Sequence, residues 1–367
     1  MNDLNLKKII SILNDDNTQL DAIALVPGSN FQYLTGGHFF LMERPLILII
    51  SKIYKPIAIL PVLEVSNFVN LKFDAEIIEW QDSDGYQKAF DKAFKLLGNK
   101  FTLGIEGQLM RAFEMQAIQN VSKDITIKNC HKIISGIRLL KEEYEINYLT
   151  KAVEIAEKSL ENTLSFVSEG LTEIQIKNFL MQQLLENGAD AIAFDALVLA
   201  GANSALCHGH SRNDYKINKG DCLLFDFGAT VNGYHSDITR TFFIDHVSDE
   251  DKNLYNVVLD ANTHGRKISK PGLTMHDLDD QVLNILETSE YKEFVVHKTG
   301  HGLGMDVHED PYIMRKNYEK LEKGMVITIE PGLYNINNLG VRIEDDVLIT
   351  NTSCESLTNF DRNLRII

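Results

Sequence analysis

The chain is poor in cysteine, has fewer basic than acidic residues, and lacks any long uninterrupted apolar run. Each shortage removes a class of function. The four cysteines, Cys130, Cys207, Cys222 and Cys354, form no CxxC pair. Thiols scattered this way through a large chain fit a reducing cytoplasm, not a disulfide framework. Lysine and arginine number 36 against 52 acids, giving a net charge of -16 and a pI near 5.1. An acidic surface repels phosphate backbones and anionic lipid, so no nucleic acid and no membrane is expected as a partner. The strongest apolar stretch, 45–63, is interrupted by Lys52, Lys55, Pro56 and Pro61. It is too broken to span a bilayer and reads as two buried strands. The N-terminal MNDLNLKKIISILNDDN lacks the greasy core of an export signal, so the expected location is cytoplasmic.

The 367 residues, 44% of them hydrophobic, are enough for two packed domains. Residues 1–134 alternate between strand and helix patterns: a helix carrying Leu6, Ile9, Ile10 and Leu13, a strand at 21–26, the strand pair at 45–63, an amphipathic helix over 85–98, a strand at 102–107 and a helix near 108–121. Residues 135–367 open on a long helix over 141–167, with Ile146, Leu149, Val153, Leu160 and Leu164 on one face. Thr172 and Gln175 have the spacing of a capping box for a second helix that stops at Gly188. Strands are expected at 194–200, 221–229 and 238–244. A second helix pair follows, one helix from Asp249 and one over 271–287, then strands at 325–330 and 341–349. Helix pair then strands thus occurs twice, with no repeat of residues evident.

Four segments of this second region carry the chemistry. They are LLFDFGATVNGYHSDITRT (223–241), GHGLGMDVHEDP (300–311), MVITIEPGLY (325–334) and GVRIEDDVLIT (340–350). Their candidate metal ligands are Asp226, Asp237, His301, Glu330 and Glu344. An isolated acid on a strand is ordinarily a surface residue. Here all four segments set acids among strand-forming apolar residues. Four buried carboxylates alone would repel one another and take up protons. Two divalent cations cancel their charge, and such a pair lowers the pKa of bound water from about 15.7 to about 7. Three histidines, His297, His301 and His308, fall within twelve residues around a glycine-rich turn. Oxygen-rich ligands with one imidazole favour Mn or Co, with Zn possible, over a thiolate zinc site. Strand alternation places Arg342, Glu344 and Asp346 on one face.

With these residues in this order, the chain resembles the pita-bread metallopeptidases, above all the proline-specific branch of Xaa-Pro dipeptidase (prolidase) and aminopeptidase P. ITIEPGLY and GVRIEDDVLIT carry the likeness most strongly, and it spans roughly 137–367. It implies an α+β protein: a C-terminal pita-bread fold, with pseudo-two-fold helix pairs around a curved antiparallel sheet, and a smaller N-terminal α/β creatinase-like domain. It implies hydrolysis of the bond between an N-terminal residue and proline by a hydroxide held on two divalent metal ions. Asp226 would chelate one metal, Asp237 and Glu344 would bridge both, and His301 and Glu330 would complete the other. Glu330 would also handle the proton of the water. His208, His297 and His308 would contact the substrate and its tetrahedral intermediate, and Arg342 would pair with a carboxylate at the metal edge. Cys207 stands where the family usually has proline, and His210 competes with His208 for its role. The family suggests a homodimer acting on small peptides with proline second. The alternatives are a methionine aminopeptidase, which the large N-terminal domain disfavours, and a catalytically silent peptide-binding relative. The full ligand set speaks against a silent relative or a metal-free creatinase-type hydrolase.

Overall fold

A computed structural model describes residues 2–98 and 100–367. The chain divides into two compact units, the first ending at Ile137 and the second comprising Arg138–Ile367. The first is a six-stranded mixed sheet. Its strands run in the spatial order Glu76–Trp80, Ile57–Pro61, Ile47–Ser51, Ala22–Leu25, Phe101–Ile105, Ile125–Asn129. The broken apolar stretch is indeed two strands, paired antiparallel with Ile47 opposite Ile59. Both are buried throughout, which is why they read as continuous apolar runs and do not alternate. The helix Gln87–Leu97 buries Ala89, Phe90, Ala93, Phe94 and Leu97, the three- and four-residue spacing of one helical face. Phe94 packs at 5.8 Å from Phe101 on the sheet. Fully burying each such ring contributes about 1.5–3 kcal/mol.

Five elements of this unit have no counterpart in the sequence reading: helices Ser29–Thr35, Val62–Asn70 and His131–Ser135, and strands Glu76–Trp80 and Ile125–Asn129. The helices are short, and Ser29–Thr35 lies where PGSN suggests only a turn. Its apolar residues are too few to define a period.

The second unit contains the expected helices, at Glu143–Phe166, Glu173–Glu186, Asp249–Ile268 and Met275–Glu287. The capping box is formed: Thr172 Oγ1 accepts from Gln175 N at 3.3 Å, and Gln175 Oε1 accepts from Thr172 N at 2.8 Å. Every strand pair of this unit is antiparallel. Its largest sheet has five strands, in the order Glu309–Ile313, Gly300–Gly302, Val326–Ile329, Asp345–Ile349, Cys354–Ser356. A three-stranded sheet joins Leu197–Ala200, Cys222–Phe227 and Ile238–Phe243. The stretch 341–349 is not one strand. It breaks at Ile343–Glu344 between Leu339–Arg342 and Asp345–Ile349, which belong to different sheets. Glu344 N turns aside to donate to Thr239 O at 3.1 Å, and this hands the backbone from one partner strand to the next.

The two halves of this unit repeat in detail. Thr172 and Thr274 each cap the second helix of a pair, and each forms an antiparallel bridge, to Lys216 and Lys320. Gly220 N bonds Ile244 O at 2.7 Å, and Gly324 N bonds Ile349 O at 2.9 Å. Aligned on these contacts, KINKGDCLLFDFG (216–228) matches KLEKGMVITIEPG (320–332), with Asp226 against Glu330. A residue-level repeat is therefore present. It escapes a plain reading because only the lysines, the turn glycine, the acid and the final glycine survive in it. Gly220 and Gly324 keep φ of 86° and 92°, a left-handed turn that glycine adopts without strain.

Candidate metal centre

The antiparallel registers decide which acids meet. Asp226 lies opposite Thr239 on the neighbouring strand, and Asp237 stands immediately before that strand. In the five-stranded sheet, Ile329 lies opposite Asp345, so Glu330 and Glu344 flank the same end of that strand pair. His301 is the central residue of Gly300–Gly302. A Cβ on Gly300 would sit 2.1 Å from Thr328 O, and one on Gly302 would sit 2.2 Å from Asp310 O. Only glycine permits the strand to press against its neighbours here, and that approach sets His301 inward.

These elements bring Asp226, Asp237, His301, Glu330 and Glu344 onto one wall of a cavity of about 850 Å³, which His208, His297, His308 and Arg342 also line. Three sets of ligand atoms fall within 4.8 Å of one another: Asp226, Asp237 and Glu344; His301, Glu330 and Glu344; and Asp237, His301 and His308. His301 Nδ1 lies 3.0 Å from Gly302 O, so that nitrogen donates and leaves Nε2 as a lone pair. Nε2 then faces Glu330 Oε1 at 3.3 Å and Asp237 Oδ2 at 3.7 Å. A carbonyl that fixes the tautomer is the usual outer partner of a metal-bound imidazole. Asp226 Oδ1 is buried with no hydrogen-bond partner. Facing lone pairs and an orphaned carboxylate oxygen are a donor set that divalent cations satisfy, so the residues fit the metal pair.

The electrostatics agree. Burial, then the charges of Glu344 and Asp226, hold the Asp237 carboxyl well above its ordinary range. Burial, then Glu330 and Asp226, do the same to Glu344. Burial is the main cause that brings Glu330 to about 7, with Asp226 adding to it against the opposing pull of Arg342. Burial and the neighbouring His308 lower His301 to about 3, so its imidazole is neutral and free to bind metal.

Arg342 is fully engaged. It donates through Nη2 to Asp226, through Nη1 to Tyr334 Oη at 2.7 Å and through Nε to Thr239 Oγ1 at 3.0 Å. Thr239 Oγ1 in turn donates to Glu344 Oε2 at 2.6 Å. His297 lies within hydrogen-bonding distance at both nitrogens, Nδ1 to Lys298 O and Nε2 to Tyr334 Oη, each 2.7 Å. Its ring is therefore occupied by the wall, whereas His208 and His308 have no side-chain hydrogen bond among the described residues. His210 lines the cavity as well. Cys207 is half-buried on the same wall, where burial pushes its thiol upward, away from the reactive thiolate.

Tyr334, Thr239 and Asp346 join this network without having been singled out as site residues. Asp346 Oδ2 accepts from Asp237 N at 3.1 Å. Asp346 had a signal, since alternation along the sequence groups it with Arg342 and Glu344. Tyr334 closes the ITIEPGLY motif, but the motif does not show that its hydroxyl joins the site. Tyr334→Phe leaves His297 Nε2 and Arg342 Nη1 short of a partner. It is expected to cost about 1–3 kcal/mol of stability, checked by urea unfolding. A cost near zero means that water replaces the hydroxyl.

Residues 147–351 match the pattern of metallopeptidase family M24, and residues 6–140 match the creatinase/prolidase N-terminal domain. The chain belongs to metallopeptidase family M24. It has that family's two-domain fold, a creatinase-like domain followed in sequence by a pita-bread catalytic domain, and is an exopeptidase-type enzyme. An uncharacterized peptidase of Staphylococcus aureus (strain USA300) is 35% identical over 97% of this chain and 99% of its own. Among solved structures, a prolidase from Thermococcus sibiricus superposes with a TM-score of 0.93 at 33% identity, covering 99% of this chain and 98% of that one. The Xaa-Pro dipeptidase of Bacillus anthracis gives 0.91 at 30% identity over the whole of both chains. An X-Pro aminopeptidase from Thermotoga maritima gives 0.87 at 30%, covering 99% of each. This M24 chain has four free cysteines and, among the described residues, no helix long and apolar enough to cross a membrane.

Proposed function

We propose that the protein is a metal-dependent Xaa-Pro peptidase that releases the N-terminal residue from peptides with proline second. The observation that carries this reading is the convergence of Asp226, Asp237, His301, Glu330 and Glu344 on one cavity wall. Its likeness to prolidases and an X-Pro aminopeptidase supports the substrate class. The five residues would hold two divalent cations, with Mn or Co preferred for an oxygen-rich set with one imidazole and Zn possible. When bound, such a pair supplies Lewis-acid polarisation of the scissile carbonyl and a more acidic water.

The chain's own groups do the rest. Glu330 accepts the proton of the attacking water at a carboxylate oxygen and delivers it to the departing proline nitrogen. That nitrogen carried no hydrogen in the peptide, which is why such bonds call for a dedicated site. His208 and His308, with unengaged ring nitrogens, donate to the oxyanion as it forms. His297 buttresses Tyr334, and through it Arg342, which holds Asp226 in place. We also place the enzyme in the cytoplasm, as a homodimer; the unpaired cysteines support the location and the family resemblance the assembly.

The test is a metal-supplemented assay of Ala-Pro, a longer Ala-Pro peptide and a Met-Ala peptide. Cleavage of the Ala-Pro bonds alone is expected, and the ratio of the first two separates dipeptidase from aminopeptidase P. Release of methionine from Met-Ala with no action on Ala-Pro would assign the site to a methionine aminopeptidase.

A further inference from the structure

Behind the cavity wall lies a second buried charge cluster, built on the residue after Glu344. The carboxylate of Asp345 is fully buried. It accepts from Arg240 Nη2 at 2.7 Å, Arg362 Nε at 2.8 Å and Asn262 Nδ2 at 2.9 Å, and it pairs with Arg266 Nε at 3.3 Å. Arg240 donates further to Glu344 O at 2.6 Å and Thr239 O at 2.9 Å. It also holds Phe360 O at 3.0 Å and Asp361 O at 3.2 Å. Arg362 Nη2 reaches Ser356 Oγ at 2.9 Å and Thr358 O at 2.5 Å. Beyond it, the chain end runs beside Ile238–Phe243, with Ile367 N on Phe243 O at 2.8 Å.

We propose that Arg362 is a positioning residue for the metal centre: by clamping Asp345 from the far side, it fixes the aim of the Glu344 carboxylate and so sets cation affinity. This rests on the metal-centre reading above. Asp345 opens the strand that follows Glu344, so a clamp on Asp345 resists rotation of the backbone that carries Glu344. Glu344 stands at a strand break, where its backbone is held by Thr239 O and by Arg240, itself a partner of Asp345. The contacts also call for arginine. Nε serves Asp345 while Nη2 serves Ser356 and Thr358, a division that a planar fork provides and a single ammonium does not. Without Arg362, Asp345 keeps Arg240, Asn262 and Arg266, so the fold survives and the aim is what loosens. Loss of an outer partner that touches a ligand directly typically weakens metal affinity about 10- to 100-fold, which bounds the effect transmitted through Asp345.

The experiment is calorimetric titration of the metal-free full-length chain with Mn(II). Arg362→Gln is expected to bind more weakly than wild type at one site or more, by up to about 10- to 100-fold, with the cooperative unfolding of its metal-free form retained. Arg362→Lys is expected to fall between the two. Deleting Asn363–Ile367 removes the edge pairing but keeps Arg362, and should lower the melting temperature while leaving affinity in place. Wild-type affinity in Arg362→Gln overturns the proposal, as does an equal loss of affinity in the deletion. Should Arg362→Gln fail to fold, Arg362→Lys decides: weakened binding on a folded chain supports the proposal and wild-type binding overturns it. A wild-type chain that takes up no Mn overturns the metal reading itself, and this inference with it. Normal wild-type uptake matched by the variant overturns this inference alone.

Discussion

Glu344→Ala is expected to abolish turnover, because Glu344 joins the group with Asp226 and Asp237 to the group with His301 and Glu330. Its carboxylate meets Asp226 and Asp237 on one side and His301 and Glu330 on the other. In the proposed centre, removing it would withdraw a ligand from both cation positions at once. Metal polarisation contributes several kcal/mol at the transition state, and each 1.36 kcal/mol is tenfold. A fall in kcat/KM of about 10³-fold or more follows, with metal stoichiometry reduced in parallel. Glu344→Gln separates ligand loss from damage to the fold. It keeps the volume and an oxygen for Thr239, but it removes the charge. Burial and the fields of Glu330 and Asp226 oppose that charge in the metal-free protein. Metal-free Glu344→Gln should therefore melt no lower than wild type while being as inactive as the alanine variant. Near-wild-type kcat/KM in either variant would remove Glu344 from the site.

The second unit was the more legible because its helices are long and its caps are explicit. Glu143–Phe166 and the Thr172/Gln175 box follow from periodicity and hydrogen-bonding chemistry alone. The pita-bread fold was legible through motif resemblance and not through periodicity. The convergence of the five ligand candidates was legible for a different reason: acids inside apolar strand segments need a reason to be there. Less could be read of the lateral contacts. That 341–349 breaks at Ile343–Glu344 depends on Thr239, more than a hundred residues earlier, and no local pattern encodes it. That His297 is tied at both nitrogens depends on Tyr334, which closes the ITIEPGLY motif with no local sign of what its hydroxyl meets. The clamp on Asp345 needs Arg240, Arg266 and Arg362 from three separate segments, each an ordinary surface arginine in the linear sequence. In the first unit, the short helix Val62–Asn70 was hidden behind the strand that it continues.

Stripping the metal with a chelator is expected to silence the enzyme, and adding Mn or Co to restore it; the same two states should also differ in stability, in a pH-dependent way. Glu330 carries the prediction, since its carboxyl rises from an ordinary 4.5 to about 7 in the metal-free fold, chiefly through burial. A group whose folded pKa is raised contributes stability that is fully present below the unfolded value and lost as pH rises through the folded one. The metal-free protein should therefore weaken between about pH 4.5 and about pH 7, and Asp237 and Glu344, raised by burial and mutual repulsion, act in the same sense. Cations reverse this by replacing those protons. At one hundred times its dissociation constant, a ligand adds about 2.7 kcal/mol, or roughly 5–10 °C in melting temperature for a domain of this size. Protons compete for the same oxygens, so the gap between Mn-loaded and chelated protein should be small near about pH 5 and widest near about pH 8. Scanning calorimetry in Mn and in chelator at three pH values measures it. A gap that stays constant, or narrows as pH rises, would mean that these carboxylates are not the groups the metal displaces protons from.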